Sequence, residues 1–154
     1  MGVILEAFNL WKVYPMGESE VSALCDVSLQ INRGEILAIT GPSGSGKTTL
    51  LNCLSTLDTV SRGEIYFEGK DIANLFDRER TKLRGERMGF IFQQYQLIPV
   101  LTAVENVELP LLLLDIPADE ARTGHLNPFQ FSVFLTVQSI NHQNFPVANN
   151  KELL

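Results

Sequence analysis

Nine consecutive residues, Gly41-Pro42-Ser43-Gly44-Ser45-Gly46-Lys47-Thr48-Thr49, complete a G-x-x-x-x-G-K-[ST] pattern, a spacing suited to holding a polyphosphate. A phosphate chain needs many donors converging on a small volume, and successive backbone N–H groups of a tight loop supply them without bulky side chains. Gly41 lets the loop leave the segment before it, while Gly44 and Gly46 permit backbone angles that a side chain resists. Lys47 places one cation between the β- and γ-phosphates, and Thr48 offers a hydroxyl to Mg2+. Thr49 falls in the first helical turn, where the dipole and free N–H groups favour an anion. The candidate nucleotide-binding set is Gly41, Ser43, Gly44, Ser45, Gly46, Lys47, Thr48 and Thr49, with Thr48 as a metal contact. A Gly/Ser linker running into a helix is the plain alternative, and the flanking elements argue against it.

Those flanks have the order that the loop needs. Residues 35–40, Glu-Ile-Leu-Ala-Ile-Thr, form a short apolar run that predicts a buried parallel strand, and residues 49–54 have helical spacing. Upstream, residues 3–10 and 23–31 are β-like, with a turn-rich stretch at 15–20 between them, and predict paired strands beside the loop. Tyr14 ends the first of these. An aromatic there either packs as an ordinary half-buried strand residue or offers its face to a purine, and the strand context alone favours packing. Downstream, Ser61-Arg62-Gly63 turns into a strand at 64–68 closed by Gly69-Lys70. Residues 76–86 interleave both charge signs and predict a solvated helix. Residues 88–92 are an apolar strand leading into Gln93-Gln94. Thr102 and Glu105 then form a capping box for a helix reaching Leu109.

Composition narrows the class. At 154 residues the chain suits one domain with a real core, and its apolar content is that of a globular protein. A net charge of −6 argues against a nucleic-acid partner, since duplex binding rests on a cationic surface. Cys25 and Cys53 are too few and too far apart for a metal knuckle, His125 and His142 sit in plain polar surroundings, and both thiols are expected reduced in the core. No signal-peptide pattern is present, position six lacks the Ser or Thr of a myristoylation motif, and the longest apolar run, 109–114, is too short to span a bilayer. Membrane association is therefore expected through a partner.

Residues 88–107, MGFIFQQYQLIPVLTAVENV, resemble the Q-loop region of ATP-binding-cassette (ABC) transporter ATPases. With the loop at 41–49, residues 23–29 and Tyr14, the chain is similar to the subgroup serving lipoprotein release and macrolide export. The resemblance runs over about residues 3–121. It implies an α/β fold: a partial P-loop NTPase (ABC ATPase) core, an antiparallel β-subdomain and the start of a helical subdomain near residues 95–125. It implies ATP and Mg2+ as cofactors, Tyr14 as the adenine-stacking aromatic, and Gln93 as the catalytic-site residue touching Mg2+ and the attacking water. Residues 94–110 would face a membrane-spanning transporter subunit, placing the chain in the cytoplasm, peripheral on the membrane's cytoplasmic face.

Beyond residue 121 the character changes. Only Arg122, Lys151 and Glu152 are charged there, in a chain with twelve basic and eighteen acidic residues. Residues 1–121 are thus expected to be the N-terminal part of an ABC nucleotide-binding domain and 122–154 a divergent, low-charge tail. The signature motif, the strand ending in Asp-Glu and the switch histidine of the family are not found in it, and no Asp or Glu lies between Glu120 and Glu152. Attack of water on a γ-phosphate needs a group to orient or deprotonate that water, and Mg2+ needs an acidic anchor. The expectation is a truncated or divergent ATPase chain that binds ATP but does not hydrolyse it efficiently alone. A regulatory module pairing with an intact ABC ATPase chain, or a non-functional fragment, are the alternatives. Residues 129–137 alternate as a half-buried strand does, while the run also has the uncharged, β-favouring composition of an aggregating tail. A GTPase would need N-K-x-D, and Asn150-Lys151-Glu152-Leu153 fails at its last position.

Overall fold

A computed structural model describes residues 2–92, 96–112 and 133–137. The chain divides into two compact units, the second beginning at Thr81.

The first unit is built on a long antiparallel hairpin, β1 (Val3–Met16) and β2 (Ser19–Asn32), to which β3 (Arg62–Phe67) and β4 (Lys70–Asp71) add in the order β2-β1-β3-β4. Both hairpin strands are longer than the sequence pattern indicated. Pro15, Met16, Ser19 and Glu20, expected in the turn, are paired residues, and the reversal is made at Gly17 with φ 65°. Alternation in both strands slips once. Phe8 and Asn9 are successively exposed in β1, as are Cys25 and Asp26 in β2, because Asn9 (φ 49°) and Asp26 (φ 59°) form facing bulges. They pin each other: Asn9 Nδ2 donates to Asp26 Oδ1 at 2.8 Å, and Asn9 N donates to Ser28 Oγ at 2.8 Å. The slip returns Leu10 and Val27 to the face already carrying Leu5, Ala7 and Leu29, so that one face stays apolar.

That face holds the core with Leu24, Ile65, Phe67 and Ile72, and α1 (Lys47–Leu54) contributes Leu50, Cys53 and Leu54. Three apolar side chains at i, i+3 and i+4 are the buried stripe of an amphipathic helix. Each fully buried leucine contributes roughly 1.5–3 kcal/mol. The strand expected at residues 35–40 is not formed. The segment is irregular and Ile36 is 97% exposed. A strand exists through its ladder hydrogen bonds, and residues 36–40 have no strand neighbour among the described residues.

In the second unit, β5 (Met88–Phe92) pairs in parallel with β6 (Val133–Val137), Met88 opposite Val133 and Phe92 opposite Val137. The Phe90 and Phe92 rings, on one face of β5, stack with centroids 5.9 Å apart. The remainder of 122–154 lies outside the described residues. Helix α2 (Asp77–Arg87), within which the two units divide, buries no residue, as its alternating charges predict. Its ends suit the dipole, with Asp77 and Glu79 in the first turn and Arg84 and Arg87 in the last.

Helix α3 (Ala103–Leu112) starts at the expected capping box. Glu105 N donates to Thr102 Oγ1 at 3.3 Å, and Thr102 N returns a bond to Glu105 Oε2 at 2.7 Å. Asn106 organises the preceding loop, its Oδ1 accepting from Ile98 N at 2.7 Å and its Nδ2 donating to the carbonyls of Ile98, Leu101 and Thr102. Replacing Thr102 with alanine is expected to cost about 1 kcal/mol, a fall in Tm of about 3 °C by calorimetry. An unchanged Tm would show that α3 does not share the cooperative transition.

Candidate nucleotide-binding site

Helix α1 opens at Lys47 behind Gly46, which adopts φ 86° and ψ 3° as its N-cap. This left-handed conformation turns the loop sharply into the helix, and the first helical bond, Leu50 N to Gly46 O, is 2.8 Å. The close approach is to β2: a Cβ on Gly46 would overlap the Ala23 carbonyl oxygen and meet Leu24 Cδ2 at 3.3 Å. The loop is thus seated on the sheet rather than suspended above it. Within it, Ser45 N donates to Pro42 O at 3.3 Å, and Lys47 folds back so that its Nζ donates to Gly41 O at 2.9 Å, Pro42 O at 2.6 Å and Ser45 Oγ at 3.3 Å. The ammonium therefore sits inside the curve of the loop. Thr48 is exposed beside it. The arrangement gathers a cation, a hydroxyl and the free N–H groups of a helix start, the donor set that a phosphate chain requires.

Tyr14 lies on β1, the neighbour of the strand β2 on which the loop is seated. Leu10, Lys12 and Tyr14 lie two residues apart on β1 and share a face, the one on which α1 packs. The Tyr14 phenol donates to Asp58 Oδ2 at 2.6 Å. Its pKa is raised, chiefly by the Asp58 bond and then by burial, with Thr49 acting the other way. An aromatic ring is therefore linked to the segment that follows α1. Gln93, the remaining expected site residue, lies outside the described residues, as do His125 and His142.

Sequence reasoning missed Lys12 and Asp58. Lys12 is 7% exposed, and its Nζ donates to Asp58 Oδ1 and to Thr59 O, both at 2.6 Å. Burial by itself would raise the Asp58 carboxyl pKa, but the Lys12 ammonium, the Tyr14 hydroxyl and the Thr59 N–H outweigh it and hold it below its usual value. One signal was available. A lysine placed two residues after a core leucine and two before Tyr14 is headed inward and demands a carboxylate partner. The partner's position, 46 residues away, carried no such mark.

Cys53 is a buried core thiol as expected, its pKa pushed up to about 11 by burial with the Asp58 charge adding to it. Cys25 is not: the β2 bulge turns it outward and it is exposed. Among the described residues no group of His, Cys, Asp or Glu is arranged to hold a metal, and no helix is long and apolar enough to cross a membrane.

Comparison with known proteins adds a family. The ABC transporter family model matches residues 24–151. An uncharacterized ABC transporter ATP-binding protein of Thermotoga maritima is 43% identical over 122 residues, 79% of this chain and 52% of that protein. The lipoprotein-releasing system ATP-binding protein LolD of Alcanivorax borkumensis is 46% identical over 125 residues, 80% of this chain and 55% of LolD. Among solved structures, the dimeric post-hydrolysis state of the ATP-binding cassette MJ0796 of Methanocaldococcus jannaschii, bound to ADP and Pi, superposes with a TM-score of 0.72 at 45% identity, covering 78% of this chain and 53% of that one. The chain spans about half the length of these relatives.

Proposed function

The chain belongs to the ABC transporter family, among the ATP-binding proteins of its lipoprotein-release and macrolide-export subgroup, and from that premise we propose that it binds Mg-ATP through residues 41–49 as a transporter subunit. The observation that carries this reading is a glycine loop seated on β2 at Gly46 with the Lys47 ammonium inside its curve. A triphosphate in the loop would take donors from the backbone amides and from Lys47. A base attached to it would lie on the Tyr14 side, where the ring is 36% exposed. Thr48 is the residue to hold Mg2+, whose charge would screen the phosphates, with Gln93 as its further contact by family resemblance. The partners are a membrane-spanning subunit on the cytoplasmic side and a second ABC ATPase chain, since MJ0796 is dimeric.

Hydrolysis is a separate matter. With no carboxylate between Glu120 and Glu152, the 121–151 stretch supplies no general base and no acidic Mg2+ anchor. The purified chain is therefore expected to bind Mg-ATP and to release phosphate no faster than its Lys47→Ala variant, in a continuous phosphate assay. Release that the variant abolishes would overturn the hydrolysis-deficient part of the reading.

A further inference from the structure

Three side chains around Tyr14 form a closed group that the phosphate loop does not need. Tyr14 Oη donates to one oxygen of Asp58 and Lys12 Nζ to the other, each at 2.6 Å, and Lys12 Nζ also lies 4.8 Å from the centroid of the Tyr14 ring. The ring is thus held at its hydroxyl end and covered on one face by a cation. Asp58 is itself fixed, with its N–H donating to Asn52 O at 3.0 Å and its Oδ1 accepting from Thr59 N at 2.6 Å. Lys12, nearly buried, has a further anchor in the Thr59 carbonyl.

We propose that Lys12 and Asp58 are positioning residues that hold the Tyr14 ring with one face presented to the base of a nucleotide whose phosphates occupy the 41–49 loop. This rests on the reading of the loop as a Mg-ATP site, and it adds that base recognition depends on residues remote from the loop. The physical reason is pre-organisation. A strand tyrosine free to swing about χ1 and χ2 must be immobilised when a base stacks on it, whereas one already tethered need not be. The entropy of fixing one such side chain corresponds to roughly a two- to tenfold change in affinity. With Lys12 covering one face, stacking is confined to the other, which also fixes the side from which the base enters.

A merely structural ion pair between β1 and the segment after α1 would stabilise the fold without touching base affinity. The experiment separates the two roles by titrating the full chain with Mg-ATP and with Mg-tripolyphosphate, which shares the phosphates and lacks the base. Tyr14→Phe, which keeps the ring and removes the tether, and Asp58→Asn are each expected to weaken Mg-ATP two- to tenfold and leave Mg-tripolyphosphate unchanged. The double variant is expected to be no weaker than the weaker single one, because both changes remove the same bond. Unchanged Mg-ATP affinity in Tyr14→Phe, equal loss for both ligands, or additive losses in the double variant would overturn the proposal. Should Asp58→Asn fail to fold, Tyr14→Phe carries the test, since it deletes one oxygen from a partly exposed residue. Tyr14→Ala distinguishes the levels. A base-dependent loss there without one in Tyr14→Phe defeats the positioning role alone, while a parent chain that binds neither ligand defeats the Mg-ATP reading and this inference with it.

Discussion

Replacing Lys47 with alanine is expected to weaken Mg-ATP binding by roughly 30- to 1,000-fold while leaving the chain folded. The ammonium lies inside the loop's curve on the carbonyls of Gly41 and Pro42, and in the proposed site it would be the cation that meets the phosphates. Removing one partner of a desolvated charge pair costs about 2–4 kcal/mol, which gives that range. Folding should not suffer. Lys47 is only partly buried, its hydrogen bonds are local to the loop, and alanine suits the first turn of α1. Calorimetric titration of parent and variant, each shown to unfold cooperatively, measures the effect. Equal affinities would mean that nucleotide, if bound, is held elsewhere.

The second large effect belongs to Gly46→Ala, and it falls on the fold. At φ 86° any side chain is strained, and here the added Cβ would run into the Ala23 carbonyl, a backbone atom of β2 that cannot swing aside. The loop would have to lift from the sheet, pulling on the helix whose Leu50, Cys53 and Leu54 complete the core. A cost of about 3–5 kcal/mol is expected, a large share of the stability of a domain this size and a fall in Tm of about 6–20 °C. Gly44→Ala is the control. Its φ is also positive, at 81°, but a Cβ there meets open space, leaving about 1 kcal/mol of conformational cost. Similar losses in the two variants would show that the packing of Gly46 on β2 is not what fixes the loop.

These positions also show which parts of the molecule could be seen in the sequence. The glycine spacing, Lys47 and the helix from it were legible because each is a local requirement, set within a few residues. So were the Thr102–Glu105 capping box and the solvated helix α2. The strands at 3–10, 23–31, 64–68 and 88–92 were also legible, but not every feature that depends on a distant partner was. The apolar run at 35–40 reads as a strand by composition, yet a strand is defined by a neighbour, and Ile36 stands in solvent. The paired bulges at Asn9 and Asp26 carry no glycine to announce them, so the hairpin's phase slip and the outward turn of Cys25 were hidden. Tyr14 was visible as an aromatic with two uses, and the Asp58 carboxylate that tethers it became apparent once the sheet and α1 were in place.

Nucleotide binding by the loop is the central claim, and thermal unfolding of the full chain with and without Mg-ATP, beside Lys47→Ala, tests it most directly. At about a hundred times its dissociation constant a ligand stabilises the folded state by roughly 2.7 kcal/mol. The account predicts one cooperative transition that Mg-ATP raises by about 5–10 °C in the parent and leaves in place in the variant. A transition that Mg-ATP does not move in the parent, or moves equally in both, would contradict it.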